Sequence, residues 1–373
     1  TVAITVLESN EHLFTDDKSE VIYAYIDALR KVLNTYLEIS DLYQKQEEWV
    51  DYEQILSVLD TKGHRTSLIM KMLNGMQTFL NNGGVSFIGK SAGGWCNVLN
   101  SDDARHAPPI GMPIEDKSLS LEALQKGNPE FAIHFNNNPK RLSPREIHTK
   151  GASLAIPVLM NDHRQGLVLV YDDNPLTFKE STKHKLINFV RVAALKMKVN
   201  NPKLDADNEL LTNQYGAFIP DIFELTVDTE LQRKTKGISP YTSWLGLITL
   251  SELPSIRTKL RLEELNQLQK DLVAAFNPSR FGISGSIGFY SDYVYSFFIQ
   301  SKDKKAVEHW TKALKKEFSE PFELTNGKQI HSGIKVGFTL LDKDISDSYQ
   351  ALSNAKAALS RAVKGDQEHS SQD

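Results

Sequence analysis

Residues Asn200-Asn-Pro-Lys-Leu-Asp-Ala-Asp207 form a polar, proline-interrupted octapeptide between two regions of apolar periodicity. Each region must then find its own core, which sets the domain organisation. The length of 373 residues leaves room for about two or three domains, each large enough to bury a core. A formal charge of -4 with 24% charged residues offers no broad attraction for nucleic acid or an anionic membrane, so neither is expected as a partner. The single cysteine, Cys96, excludes an intrachain disulfide and a Cys-based zinc site and suits a reducing compartment. No run approaches the roughly 18 apolar residues of a membrane span, and the N-terminus lacks a basic-then-apolar secretory pattern, so the cytoplasm is the expected location. The chain begins at Thr1 without methionine, which leaves room for a leader or a larger upstream portion.

Ahead of the octapeptide, Ile22, Ile26, Leu29, Val32 or Leu33, Tyr36, Ile39 and Tyr43 recur at intervals of three and four and mark one face of a long helix over 18–49. That stripe must bury against the next domain or along a dimer seam of coiled-coil type. A second helical piece is expected over 51–60, ending near Gly63, and a third over 65–80 on Leu68, Ile69, Met72, Leu73, Met76 and Phe79. Strands follow at 85–88 and 95–99, joined by the turn Ser91-Ala-Gly-Gly94. Residues 102–144 read as loops apart from a short helix near Leu119–Gln125 and a strand near Phe131. Residues 152–160 and 166–171 pair as a hairpin, and a helix closes the region over about 178–198.

This order of elements, with Ala155-Ile-Pro-Val-Leu159 followed by Gly166-Leu-Val-Leu-Val170, resembles a GAF domain over about 64–198. The resemblance implies a sensory α/β sandwich that receives a small-molecule ligand or a partner. Phe87, Trp95, Cys96, Phe131 and His134 are the candidate lining residues of its pocket. Cys96 reads either as a buried small hydrophobe or as a pocket thiol, and the former is preferred. His106, His134, His148 and His163 show no metal-ligand spacing.

After the octapeptide, Glu209-Leu-Leu-Thr-Asn-Gln-Tyr-Gly-Ala-Phe218 resembles the segment D-x-L-T-G-x-x-N-R-R-x-F that opens GGDEF domains, the diguanylate cyclase fold. Gly288-Phe-Tyr-Ser-Asp-Tyr-Val-Tyr-Ser-Phe-Phe-Ile299 resembles that family's central hairpin. Gly333-Ile-Lys-Val-Gly-Phe338 and Ala355-Lys-Ala-Ala-Leu-Ser-Arg-Ala-Val-Lys-Gly365 resemble its late strand and closing helix. In the family the G-G-D-E-F turn and a D-x-D strand end hold the two metal ions that activate GTP. Here the turn reads Ser291, Asp292, Tyr293, Val294, Tyr295, and the strand 245–250 ends in Ser251, Glu252, Leu253. Two-metal phosphoryl chemistry needs anionic oxygens that bridge the ions, and serine and leucine supply none of that charge. The guanine-reading positions fall in the helix 257–273, near Lys259 and Lys270, with Asn266 and Asp271 as substitutes. The product-binding motif R-x-x-D corresponds to Gly282-Ile-Ser-Gly285, so product feedback at that site is not expected.

The resulting expectation is an α+β protein: an N-terminal helical segment (1–63), a GAF-like sensory α/β sandwich (64–199), a degenerate GGDEF-like, cyclase-palm-like α/β domain (200–365) and a disordered tail (366–373). The resemblance, to bacterial signalling proteins, implies a homodimer without cofactor, metal or catalytic residues that signals to a protein partner through helix packing at 178–210. The alternatives are a diguanylate cyclase working with Glu252 and Asp292, and an effector that binds a nucleotide without turnover.

Overall fold

The computed structural model describes residues 16–60, 64–116, 118–134, 150–160, 163–200, 210–364 and 369–372. Most of the octapeptide, Gly63, His148 and half of the C-terminal tail lie outside the described residues, as does the His134 side chain; within that tail, expected to be disordered, His369–Gln372 instead pairs as a strand. The chain divides into two compact units, Thr1–Val58 and Leu59–Asp373.

Among its described residues the first unit contains one helix, α1 (Asp16–Ser57), where two pieces were expected over 18–49 and 51–60. No glycine or proline interrupts these residues, so nothing stops propagation until a 3-10 turn at Val58–Asp60. The apolar stripe is open along much of its length: Val32, Tyr36 and Tyr43 are each about two-thirds exposed (65%, 68% and 66%).

The second unit contains two five-stranded sheets. The first has the order β2 (Gly94–Asn100), β1 (Gly83–Ser91), β5 (His163–Asp172), β4 (Gly151–Met160), β3 (Glu130–His134), with every neighbouring pair antiparallel. Helices α2 (Arg65–Gln77) and α4 (Glu180–Asn200) pack on one face and α3 (Leu119–Lys126) on the other. Strand alternation sends Ile88, Ala155, Leu167 and Leu169 toward α3, where Met112, Leu119 and Leu124 complete a closed apolar cluster. The buried Asp172 carboxylate fixes the turn from α2 into β1 by accepting the Asn81 and Asn82 N–H groups at 2.9 and 3.2 Å.

The second sheet has the order β12 (His369–Gln372), β11 (Ile334–Leu341), β6 (Thr242–Leu250), β8 (Val294–Ser301), β7 (Gly285–Ser291), with β11 and β12 parallel and the rest antiparallel. A small hairpin, β9 (Phe322–Glu323) with β10 (Gln329–Ile330), stands apart. Helices α5 (Pro220–Thr235) and α9 (Ser348–Lys364) cover one face, Phe223, Val227 and Leu231 packing with Leu245, and Ala355 and Leu359 with Leu247. The opposite face packs on α7 (Leu262–Phe276) and α8 (Ala306–Glu317), with Trp310 fully buried against Phe297.

The single helix expected over 257–273 is instead two, α6 (Leu253–Lys259) and α7. Leu260 and Arg261 are extended, and Glu264 accepts the Arg261 N–H at 2.8 Å, so a capping interaction starts a new helix where side-chain periodicity ran on unbroken.

Helix α5 joins the two sheets. Its apolar side lies on β6 and β8, while its polar side meets the first sheet: Thr226 Oγ1 reaches Val98 O at 3.4 Å, and Arg233 donates to Ser101 O and Ala104 O at 3.1 and 2.7 Å. Arg233 and Glu230 are 2% and 3% exposed, 3.8 Å apart, and Glu230 also accepts from Ser239 and Ser243 hydroxyls at 2.6 and 2.9 Å. A buried charge tolerates its desolvation only with such partners, so the pair fixes the seam between the two folds.

Candidate functional site

The end of the second sheet, where the resemblance places cyclase chemistry, is built by the close of β6 and the β7–β8 turn. Tyr293 in that turn has φ 63°, a left-handed conformation that costs a bulky side chain energy. Tertiary contacts hold it: Thr249 Oγ1 donates to Tyr293 O at 2.9 Å, and the Arg257 guanidinium lies 5.5 Å from the ring centroid. The ring is 5% exposed, and burial pushes its hydroxyl above the usual phenol range. Tyr295 is fully buried, edge-on to Phe276, with its hydroxyl donating to Gln269 O at 3.4 Å, and burial pushes its pKa up as well. Tyr215 joins them from the segment before α5, its hydroxyl donating to Asn266 Oδ1 at 3.2 Å. Tyr293 is thus a covered phenol in the middle of the Ser291–Tyr295 turn.

The neighbouring positions contribute no compensating charge cluster. Ser251 is half-buried and its N–H donates to Gly333 O at 2.8 Å, while Leu253 opens α6 and packs on the core. Glu252, Asp292 and Ser291 are exposed, and Val294 is half-buried against Leu247 and its neighbours. Among the described residues no three His, Cys, Asp or Glu side chains converge to hold a metal ion. Asp271, a substitute for a guanine-reading group, is engaged by Thr325, whose N–H and hydroxyl donate to it at 2.9 and 2.6 Å. Lys259 and Lys270 are exposed.

The second ligand position implied by the resemblance, Gly282–Gly285, lies against the first fold. Gly111 has φ 76°, and a Cβ there would stand 2.0 Å from Gly285 O. Ile110 enters the core under β6 and β8, and its N–H donates to Gln300 Oε1 at 2.7 Å. The 108–111 backbone thus occupies the surface beside Gly285. Ile110, Gly111, Glu230 and Arg233 were missed in the sequence; a Gly in a Pro-flanked loop and two charges on an apolar helix were the only signals.

The four candidate pocket residues with described side chains, Phe87, Trp95, Cys96 and Phe131, do not converge. Trp95 and Cys96 lie on β2 and Phe131 on β3, at opposite edges of the sheet and therefore about 19 Å apart across four strand spacings. Phe87 is fully buried on the α2–α4 side, whereas Trp95 packs toward the α3 cluster. Phe131 meets Phe178 at 5.6 Å between centroids and lies 4.7 Å from Lys183 Nζ. The Cys96 thiol is buried, donates to Ser91 Oγ at 3.8 Å, and is pushed up to about 11 by desolvation, which leaves it protonated at neutral pH. A groove of about 430 Å³ does exist on this fold, between α4 and the end of β4, but it is lined by Ile156, Met160, Val190, Arg191 and Leu195 instead.

No protein-family model and no curated protein matches the chain. Similar solved structures include the GGDEF domain of FimX from Pseudomonas aeruginosa, 19% identical, covering 43% of this chain and 96% of that one with a TM-score of 0.36. The GGDEF domain of DgcB from Caulobacter crescentus, solved in complex with c-di-GMP, is 10% identical over 44% of this chain and 94% of that one, TM-score 0.37. The GAF domain of an Acinetobacter phosphoenolpyruvate-protein phosphotransferase is 12% identical over 43% and 98%, TM-score 0.35. The fold is α+β, with two five-stranded sheets each flanked by helices. Identity at this level leaves the chemistry to this chain's own side chains. No helix among the described residues is long and apolar enough to cross a membrane.

Proposed function

We propose that this chain is a catalytically inactive GAF–GGDEF-like signalling protein of the cytoplasm, with 64–199 as its sensory part and 200–365 as its output part. It acts through protein contacts rather than turnover. The observation that carries this reading is Tyr293, a covered phenol in place of a metal-binding carboxylate, flanked by Tyr215 and Tyr295. Neutral phenols with raised pKa values supply no anionic oxygens for two divalent ions.

The closed apolar cluster beneath α3 favours a partner over an enclosed small molecule as the input of the GAF-like part. The stripe on α1 supports a homodimer joined along that helix, since Ile22, Ile26, Leu29, Val32, Tyr36, Ile39 and Tyr43 recur at spacings of three and four and the last four are exposed. Light scattering of the full chain is expected to give twice the chain mass, and L29E/I39E to give the monomer; a monomeric native chain would sink the dimer.

Incubation with GTP and magnesium followed by chromatography tests the absence of turnover. The expected result is unchanged GTP. Formation of a cyclic dinucleotide that disappears in Asp292→Ala would replace this reading with that of a cyclase.

A further inference from the structure

At the end of the second sheet remote from Tyr293, a cleft of about 530 Å³ opens between the C-terminal turn of α5, the start of β6, the end of β11 and the turn that follows β8. Strand β6 has nine residues, so about 26 Å separates the two ends. Three lysines from three different elements line the cleft: Lys234 from α5, Lys304 from the turn after β8, and Lys343 from the segment after β11. One carboxylate, Asp342, shares the lining, which leaves two positive charges in excess on a chain whose formal charge is -4. Neither Lys304 nor Lys343 has an ion-pair partner among the described residues, and both are exposed.

Lys234 differs from the other two. It is half-buried, and its ammonium donates to Leu341 O at 2.7 Å, which fixes its position and leaves two N–H groups for another acceptor. Burial lowers its pKa, a cost that an anion at this point would offset. The helix end does not oppose an anion with bare carbonyls, because Gln232, Arg233 and Lys234 oxygens accept from Lys236, Ile238 and Gly237 N–H groups at 2.9–3.0 Å. Tyr241 lines the same cleft, and its hydroxyl is committed to Ala107 O at 3.3 Å, so the wall it offers is aromatic.

We propose that this cleft binds a small phosphate-rich anion, of the di- or triphosphate class, on Lys234, Lys304 and Lys343. Three ammonium groups act as separate point charges and suit several phosphate oxygens spread over a chain, whereas a single carboxylate would be better met by a guanidinium fork. The volume lies in the range of small-molecule sites. Because Lys234 is adjacent to Arg233, such a ligand would touch the helix that joins the two folds.

The test is calorimetric titration of the full chain with inorganic tripolyphosphate. Binding is expected to weaken at least tenfold in K304E/K343E and by less in K304Q/K343Q, which removes the charges without reversing them. K312E/K316E on α8, an equal change of charge at an exposed helix face, should leave affinity within about twofold, and higher salt should weaken native binding. Absence of native binding at millimolar tripolyphosphate overturns the proposal. Equal losses in the two glutamate pairs also overturn it, since they would mean attraction to charge anywhere on the surface. The outcome is independent of whether the chain turns over GTP.

Discussion

Two positions where the GGDEF resemblance places ligands are both covered, and by different means. At the β7–β8 turn the cover is local: Tyr293 folds its own ring over the end of the sheet. At Gly285 the cover comes from a loop over 170 residues earlier in the chain, whose Gly111 meets it backbone to backbone. At the first position the cover follows from side-chain identity, and at the second from packing. A change at the turn therefore leaves the surface beside Gly285 covered, and a change at 285 leaves the turn covered.

Breaking the seam is expected to have the largest effect. Arg233→Ala leaves Glu230 buried without its cation and two carbonyls without a donor, and should destabilise the second unit by about 3–5 kcal/mol in chemical denaturation. A loss near zero would mean that the two folds do not depend on this pair. Tyr293→Asp puts a carboxylate in the turn but removes a covered ring, so about 2–4 kcal/mol of stability should go with no cyclic dinucleotide gained. Recovery of synthesis would show that the turn alone controls activity. Gly111→Ala requires a positive φ and a Cβ 2.0 Å from Gly285 O, which should cost about 1–3 kcal/mol and increase proteolysis near the seam. Tyr295→Phe, which loses only the 3.4 Å hydrogen bond to Gln269 O, should cost about 1 kcal/mol or less.

The smallest effect concerns pH. Folding raises the Cys96 pKa from 9.0 to about 11, so the unfolded chain releases this proton first as pH rises. The contribution of the protonated thiol to stability is therefore full below about 9 and lost progressively as pH rises through about 11. Alkylation of native Cys96 should be slow at pH 8 and accelerate only near pH 11; rapid reaction at pH 8 would indicate an accessible thiolate.

Helix and strand types were legible from apolar spacing: the hairpin of β4 and β5, the α2 face and the β6 core strand all lie where their periodicity placed them. Two boundaries were not. The division between α6 and α7 depends on a Glu264 cap that leaves the apolar period unchanged, and α1 continues to Ser57 because nothing in it terminates a helix. The described candidate pocket residues failed to converge for a topological reason: β2 and β3 are consecutive strands in sequence but occupy opposite edges of the sheet.

By itself, the sequence determined which side chains stand in the Ser291–Tyr295 turn and at Ser251–Leu253, and hence which chemistry those positions can support. Only the tertiary structure decided that Thr226, Glu230 and Arg233, spaced like the solvated face of a helix, form a buried seam. Whether a polar side chain faces water depends on partners such as Ser101 and Ala104, more than 120 residues away, and local periodicity carries no record of them.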